Sequence, residues 1–373
     1  MNNLFVFGRT VSGDAFTDRE EETKKLVSNF KYGVNTFIVS PRRWGKTSLV
    51  KRAKSIAESP QLHVVYVDVQ RCRSREEFCE RFASAVLVQT ANKMEEWLDN
   101  ARSFLSRFSF AVNTSADPTS ELSIKLQLSP KEQPMDDLLQ LPEQIARKKG
   151  VRIVVCIDEF QQIGLYNDSS LFQTELRSIW QHHELTSYCL FGSKKHMMES
   201  LFDGTSKPFY KFGDIIYLQR IPTEYWVRYI TDKFTREGKS ITEEQAIAIV
   251  ERVDGNSSYV QQLSWYVFQR TDDKVTGTII NEAFQELVEQ CSDVFETKTD
   301  TLTAYQMNFL RALADGIHTN LSSIPVIQQY SLGSSANVAI IKRSLVDKDI
   351  ITIENKEIRF TDPIMDAWLR IEN

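Results

Sequence analysis

Cysteine, histidine and glycine are scarce in this 373-residue chain, at 5, 5 and 14 residues. The cysteines are Cys72, Cys79, Cys156, Cys189 and Cys291. They form no C-x-x-C pair and no metal-ligand spacing, which argues against a zinc ribbon or a disulfide framework. Cys156 and Cys189 stand in apolar, strand-like runs, where a reduced buried thiol is expected. His182 and His183 are adjacent, so on a helix they point in different directions; they are not a metal pair, and solvation is expected for both. No apolar run approaches the roughly 20 residues that span a bilayer. The opening MNNLFVFGRT has no basic flank followed by a long apolar stretch, so no signal peptide is expected, and the composition suits a reducing cytoplasm. Positive charge is not in excess either. The net charge is −5, so general affinity for polyanions is not expected.

What is present is ordinary for a soluble protein: 42% apolar and 25% charged residues, enough for two or three cored domains. The organising stretch is Asn35 to Val50, NTFIVSPRRWGKTSLV. A short β-prone run, Thr36 to Val39, meets a turn and then a helix opening at Gly45-Lys46-Thr47-Ser48. A strand before and a helix after is the setting of a phosphate-binding loop, G-x-x-x-x-G-K-[ST]. The loop of Ser40, Pro41, Arg42, Arg43, Trp44, Gly45, Lys46, Thr47 and Ser48, through the backbone N–H groups that all but Pro41 carry and the positive helix end, would wrap the β- and γ-phosphates. Lys46 would neutralise phosphate charge, and Thr47 would offer its hydroxyl to Mg²⁺. Ser40 replaces the first glycine, which is tolerable if the backbone there avoids the glycine-only region.

A second landmark is VRIVVCIDEF, Val151 to Phe160. Acids at the mouth of a buried strand need a polar or charged partner. Asp158 would join the Mg²⁺ shell and Glu159 would polarise the attacking water. Further strands are expected at His63–Val69, Thr186–Gly192 and Asp214–Gln219. The third site residue is Ser193, at the end of TSYCLFG. It would either face the γ-phosphate or the water, or cap the helix KKHMMESLF.

Helical separators (Asp18–Phe30, Ser74–Thr90, Lys93–Arg107, Met135–Lys149, Leu171–His182) make a parallel sheet covered on both faces. Ligands of such sheets sit outside the carboxyl ends of the strands, where the loop, Asp158, Glu159 and Ser193 all fall. Period-two alternation between residues 108 and 130 predicts an inserted β-hairpin. Helices at Thr223–Arg236, Thr242–Val253, Ser257–Gln269 and Asn281–Thr297 follow. Three more, near Thr303–Asp315, Leu321–Tyr330 and Ser334–Asp347, precede a hairpin of Ile350–Glu354 and Glu357–Thr361, the order of a winged helix. The domain reading is 1–220 for the P-loop domain, 221–300 for a small helical module and 301–373 for the winged helix.

The segments FVFGRTVSGDAFTDREEE, SPRRWGKTSL, VVCIDEFQQI, LRSIWQHH, LFGSKKHMM, GNSSYVQQLSWYVF and FTDPIMDAWL resemble, in this order, the archaeal-type AAA+ ATPases, a branch of P-loop NTPases near the STAND and origin-recognition ATPases. The resemblance covers nearly the whole chain. It implies a sheet of order 5-1-4-3-2, a helical lid, a C-terminal winged helix, ATP or ADP with Mg²⁺, and an N-terminal arm framing adenine through Val11, Phe16 and Arg19. Ser193 takes the place of the family's polar sensor. The sequence departs from the family at Asp18, at Ser40 and in GNSSY, which lacks a lid proline. Arg177 and Arg220 are the candidates for a charge-stabilising arginine, with surface ion pairing as the plain alternative.

The expected function is a Mg²⁺-dependent switch that binds ATP and hydrolyses it slowly, with Lys46, Glu159 and Ser193 at the chemistry and Thr47 and Asp158 at the metal. Two alternatives remain: an ATP-gated DNA-binding protein, and a scaffold that holds nucleotide without hydrolysing it. From Leu302 onward seven Lys or Arg stand against eight Asp or Glu. Although Lys342 and Arg343 could touch phosphate, that balance is the wrong sign for a DNA footprint. A protein partner is expected, and no membrane.

Overall fold

A computed structural model describes residues 4–11, 13, 16–91, 109–113, 123–127, 135–354 and 356–372. The expected helix over Lys93–Arg107 lies outside the described residues. The chain forms two compact units, Arg19–Gln219 and Met1–Asp18 with Arg220–Asn373.

The Arg19–Gln219 unit is built on five parallel strands: β1 (Thr36–Val39), β2 (Leu62–Asp68), β5 (Arg152–Asp158), β6 (Thr186–Gly192) and β7 (Asp214–Tyr217). They lie side by side as β2-β5-β6-β1-β7. Counting only these five in chain order, that is 5-1-4-3-2, the order implied by the family resemblance. Every residue of β1 and β6 is buried, as near-continuous apolar runs require when helices cover both faces of a parallel sheet.

The helices are α1 (Glu20–Tyr32), α2 (Lys46–Ala57), α3 (Arg75–Thr90), α4 (Met135–Lys149), α5 (Ser169–Trp180) and α6 (Lys195–Phe202). Each face has its own core. Leu26, Phe30, Leu49, Ala53 and Phe191 lie in one; Phe37, Phe78, Phe82, Trp180 and Tyr188 lie in the other. In the second, Trp180 stacks on Tyr188 with ring centroids 4.0 Å apart. β3 (Ser109–Asn113) and β4 (Ser123–Gln127) form a separate antiparallel pair, with Ala111 opposite Lys125, the hairpin that the alternation between 108 and 130 predicts.

Two local departures matter for the site. α1 starts at Glu20 rather than Asp18, because Asp18 and Arg19 adopt left-handed φ of 56° and 66°. β5 stops at Asp158. Glu159 is itself left-handed, at φ 56°, and an unexpected 3₁₀ turn, Phe160–Leu165, follows.

The second unit contains α7 (Thr223–Arg236), α8 (Glu243–Arg252), α9 (Ser257–Arg270), α10 (Gly277–Thr299), α11 (Ala304–Ala314), α12 (Ile324–Gln329), α13 (Ser335–Asp347), β8 (Ile351–Glu354), β9 (Glu357–Phe360) and α14 (Pro363–Glu372). α11 to α13 followed by the antiparallel β8–β9 pair make the winged helix. Its helices and those of residues 221–300 share one apolar core. Thr242 and Thr303 each form a full capping box, with Gln245 and Gln306, so two helix starts meet their orphan N–H groups locally. The N-terminal arm, which the sequence joins to the P-loop half, groups with this unit. Phe5 is buried there, 6.0 Å from the ring of Tyr229 and 6.1 Å from Phe234, and the Val6 N–H donates to Gln261 Oε1 at 3.2 Å.

Candidate nucleotide site

The loop between β1 and α2 turns on Gly45, whose φ of 84° places it in the left-handed region just before the helix. A Cβ there would meet nothing within 4 Å, so glycine is needed for its backbone freedom and not for space. Ser40 is buried and does not adopt a positive φ. The first loop position therefore makes no demand that only glycine can meet. Lys46, 6% exposed, folds over the loop. Its Nζ donates to the carbonyl of Pro41 at 2.7 Å, to the carbonyl of Ser40 at 3.1 Å and to Ser40 Oγ at 3.3 Å. The serine that replaces glycine thus supplies the ammonium with a further acceptor. Arg42 and Arg43 are exposed. Arg19 is 3% exposed, pairs with Glu22 at 2.8 Å and donates to the carbonyl of Trp44 at 3.5 Å, bracing the loop from α1. Val11 and Phe16 belong to the other compact unit.

Across the sheet, β5 delivers Asp158 beside the start of α2. Its Oδ2 accepts from Thr47 Oγ1 at 2.9 Å and from the Tyr66 hydroxyl at 2.6 Å, and its Oδ1 accepts from the Glu159 N–H at 2.9 Å. Burial pushes the Asp158 carboxyl above its ordinary value; the bonds from Tyr66 and Thr47 pull the other way, and the charge of Glu159 adds to the rise. Tyr66 is held as a neutral donor, since burial and then the charge of Asp158 raise its own pKa well above the usual phenol value. The Gln89 side chain clasps the Tyr66 backbone on both sides, accepting from its N–H at 2.9 Å and donating to its carbonyl at 2.7 Å.

The neighbouring acid has different partners. Glu159 Oε2 accepts from Ser193 Oγ at 2.8 Å and from Gln161 Nε2 at 2.5 Å. Of the two readings of Ser193, the helix cap is the one that fails: the residue before α6 is Lys194, with no side-chain cap. Lys46, Thr47, Asp158, Glu159 and Ser193 therefore share the carboxyl end of one sheet.

The two candidate arginines are elsewhere. Arg177 lies 4.8 Å over the ring of Phe212, just ahead of β7 and so at the amino end of the strands; burial lowers its guanidinium pKa. Arg220 forms a two-nitrogen ion pair with Asp254 in the other unit. Solvation holds for His182, which is exposed, but not for His183. His183 Nδ1 bonds the Tyr188 hydroxyl at 2.8 Å, and burial lowers its pKa to about 4.

Mg²⁺ takes hard oxygen ligands, keeps several waters and needs only one or two protein oxygens beside phosphate. Thr47 Oγ1 and the buried Asp158 carboxylate fit that demand. No group of three or more His, Cys, Asp or Glu suited to a metal occurs among the described residues. Tyr66 and Gln161 were not singled out by the motifs. The available signal is a lone tyrosine in the aliphatic run HVVYVDV and an amide two residues after Glu159 in IDEFQQI.

The family of ATPase domains found predominantly in Archaea matches residues 16–263, and a probable winged helix domain matches 293–371. No curated protein matches the sequence. A Walker-type ATPase of Pyrococcus abyssi is similar in structure, with a TM-score of 0.70 at 16% identity over 99% of this chain and 100% of that one. The ORC2 protein of Aeropyrum pernix, solved in ADPNP–ADP complexes, gives a TM-score of 0.60 at 12% identity, covering 99% of this chain and 98% of that one. At such identities the likeness is one of fold.

Proposed function

The chain belongs to the archaeal-type ATPase domain family, an AAA+ P-loop ATPase with a C-terminal winged helix, and on that premise we propose that it is a Mg²⁺-dependent switch that binds ATP and hydrolyses it slowly. The observation that carries this reading is the division of labour between two adjacent carboxylates. Asp158 is tied to Thr47 at the mouth of the phosphate loop, while Glu159 is tied to Ser193, just past the end of the next strand.

Phosphoryl transfer to water asks mainly for positioning and for neutralisation of charge. Backbone N–H groups at the start of α2 receive the phosphate oxygens, and Lys46 exchanges loop carbonyls for them. Thr47 and Asp158 would hold Mg²⁺, which supplies charge neutralisation on the β- and γ-oxygens when bound. Glu159 orients the attacking water and accepts its proton; Ser193 fixes that carboxylate from the turn that follows β6. Turnover is slow because neither candidate arginine is free to act in this chain: Arg220 is engaged by Asp254, and Arg177 is at the far end of the strands. The adenine nucleotides bound by the Aeropyrum ORC2 protein support ATP and ADP as the ligands here.

The decisive measurement is phosphate release by Glu159→Gln. Its kcat is expected to fall by about 10²- to 10⁴-fold, the usual worth of a positioned base, with ATP binding kept. Equal release by variant and wild type would leave a nucleotide-holding scaffold as the better reading.

The winged helix is assigned to packing and to a protein partner. Its seven basic residues against eight acidic ones give no electrostatic footprint for DNA. A duplex-DNA mobility shift is expected to show no band that weakens steeply with salt; such a band would favour the ATP-gated DNA-binding alternative.

A further inference from the structure

Beside Glu159 lies a side chain whose burial stability alone does not explain. Gln161 is 4% exposed, in the 3₁₀ turn that follows β5. Its Nε2 donates to Glu159 Oε2, but its Oε1 is buried and finds no partner among the described residues. An unmet buried acceptor costs about 1–3 kcal/mol, so the amide is held at this spot against its own hydrogen-bonding interest. The surroundings are cut to receive it. A Cβ on Gly192, the last residue of β6, would overlap Gln161 Oε1 and come within 2.7 Å of its Cδ. A side chain at 192 would therefore displace the amide from this position. Both of these donors, Gln161 Nε2 and Ser193 Oγ, meet the same oxygen of Glu159, Oε2. Glu159 itself is in the left-handed region, a conformation that surrounding contacts must impose.

We propose that Gln161 is a positioning residue for hydrolysis: with Ser193 it pins one oxygen of Glu159 so that the other is presented to the attacking water, and Gly192 exists to admit it. The inference rests on the reading of Glu159 as the group that activates water. It adds a residue that touches neither nucleotide nor metal and acts only through Glu159. Its signature is a loss in kcat with no loss in nucleotide affinity.

The test uses the full chain and three variants. Gln161→Met keeps the volume, removes the donor and removes the orphan acceptor. Its melting temperature is expected to equal or exceed that of the wild type, while single-turnover phosphate release falls about tenfold to a hundredfold, the scale of a displacement of about 1 Å at a reacting group. Binding of a non-hydrolysable ATP analogue, read by thermal shift, is expected to stay within about twofold. Gly192→Ala retains Glu159, Ser193 and Gln161 but displaces the amide, and is expected to lose kcat in the same way. Glu159→Gln is the control. If Glu159→Gln abolishes release while Gln161→Met matches wild type, this proposal fails and the hydrolytic reading stands. If Gln161→Met loses analogue binding along with release, its role is structural and the proposal fails. If the wild type releases no more phosphate than Glu159→Gln, the hydrolytic reading fails and takes this proposal with it.

Discussion

At the scale of single residues, the site is a set of polar groups that pay attention to one another before any ligand arrives. Asp158 is the clearest case. Burial first, opposed by its hydrogen bonds and reinforced by Glu159, leaves its carboxyl above the ordinary range. The folded chain therefore holds that proton more tightly than the unfolded chain does. The resulting stability is fully present below the ordinary carboxylate pKa and is lost as pH rises through the raised folded value. Asn at this position does not titrate. The melting temperature of nucleotide-free wild type, measured relative to Asp158→Asn, is thus expected to rise as pH falls from about 7 to about 4. A difference that stays flat with pH would show that Asp158 is not held at a raised pKa. The same variant is expected to weaken Mg²⁺-ATP more than metal-free ADP. That Lys46, Thr47, Asp158 and Glu159 would gather at one end of the sheet was legible in the sequence, because the phosphate-loop pattern and a pair of acids each stand at the end of an apolar strand. Tyr66, Gln89 and Gln161 were not. A neutral side chain that orients a carboxylate is chemically interchangeable in a sequence with one that merely fills a core, and only the register of β2 against β5 brings Tyr66 near Asp158.

Elements carry the next layer, and their closeness can be tested where backbone meets backbone. β7 lies at the sheet edge, paired to β1 with Thr36 opposite Asp214. Its entry is tight: the Asp214 N–H donates to the Asn35 carbonyl at 2.8 Å, and a Cβ on Gly213 would overlap that carbonyl and lie 2.8 Å from the Asn35 Cβ. Neither partner is a flexible side-chain end, so the chain cannot yield cheaply. Gly213→Ala is expected to destabilise the P-loop unit by about 3 kcal/mol, the upper part of the overpacking range, as read by denaturant midpoint; a loss below about 0.5 kcal/mol would mean that β7 shifts freely. Periodicity announced the strands and most helices because apolar spacing is set by which face is buried. The ends were less legible. α1 begins late because Asp18 and Arg19 are left-handed, and β5 gives way to a 3₁₀ turn after Glu159. Those backbone states are imposed by neighbours in space and leave no mark in local composition. Gly213 carries no signal either, since nothing in VNTF or FGDII says that they meet.

For the whole molecule, the consequential fact is that one compact unit is continuous and the other is not. Residues 19–219 carry the loop, both carboxylates and Ser193. The other unit is assembled from the first 18 residues and everything from Arg220 onward. Phe5, buried against Tyr229, Phe234 and Phe268, ties the N-terminal arm into a core of helices that begins more than 200 residues later. No local pattern could have shown this: MNNLFVF is a short apolar run that would suit either half. The energetic consequence is separable. Removing a buried phenylalanine side chain costs about 3–5 kcal/mol, which for a unit of this size lowers its transition by roughly 10 °C. Phe5→Ala is therefore expected to lower one calorimetric transition while the transition that ADP stabilises stays in place and keeps its ADP shift. Lys46→Ala should do the reverse, losing the ADP shift and leaving the other transition untouched. A single transition lowered by Phe5→Ala as a whole would mean that the two units unfold as one cooperative body. In that case nucleotide bound at the loop would reach the winged helix through shared stability, with no hinge between separately folded parts.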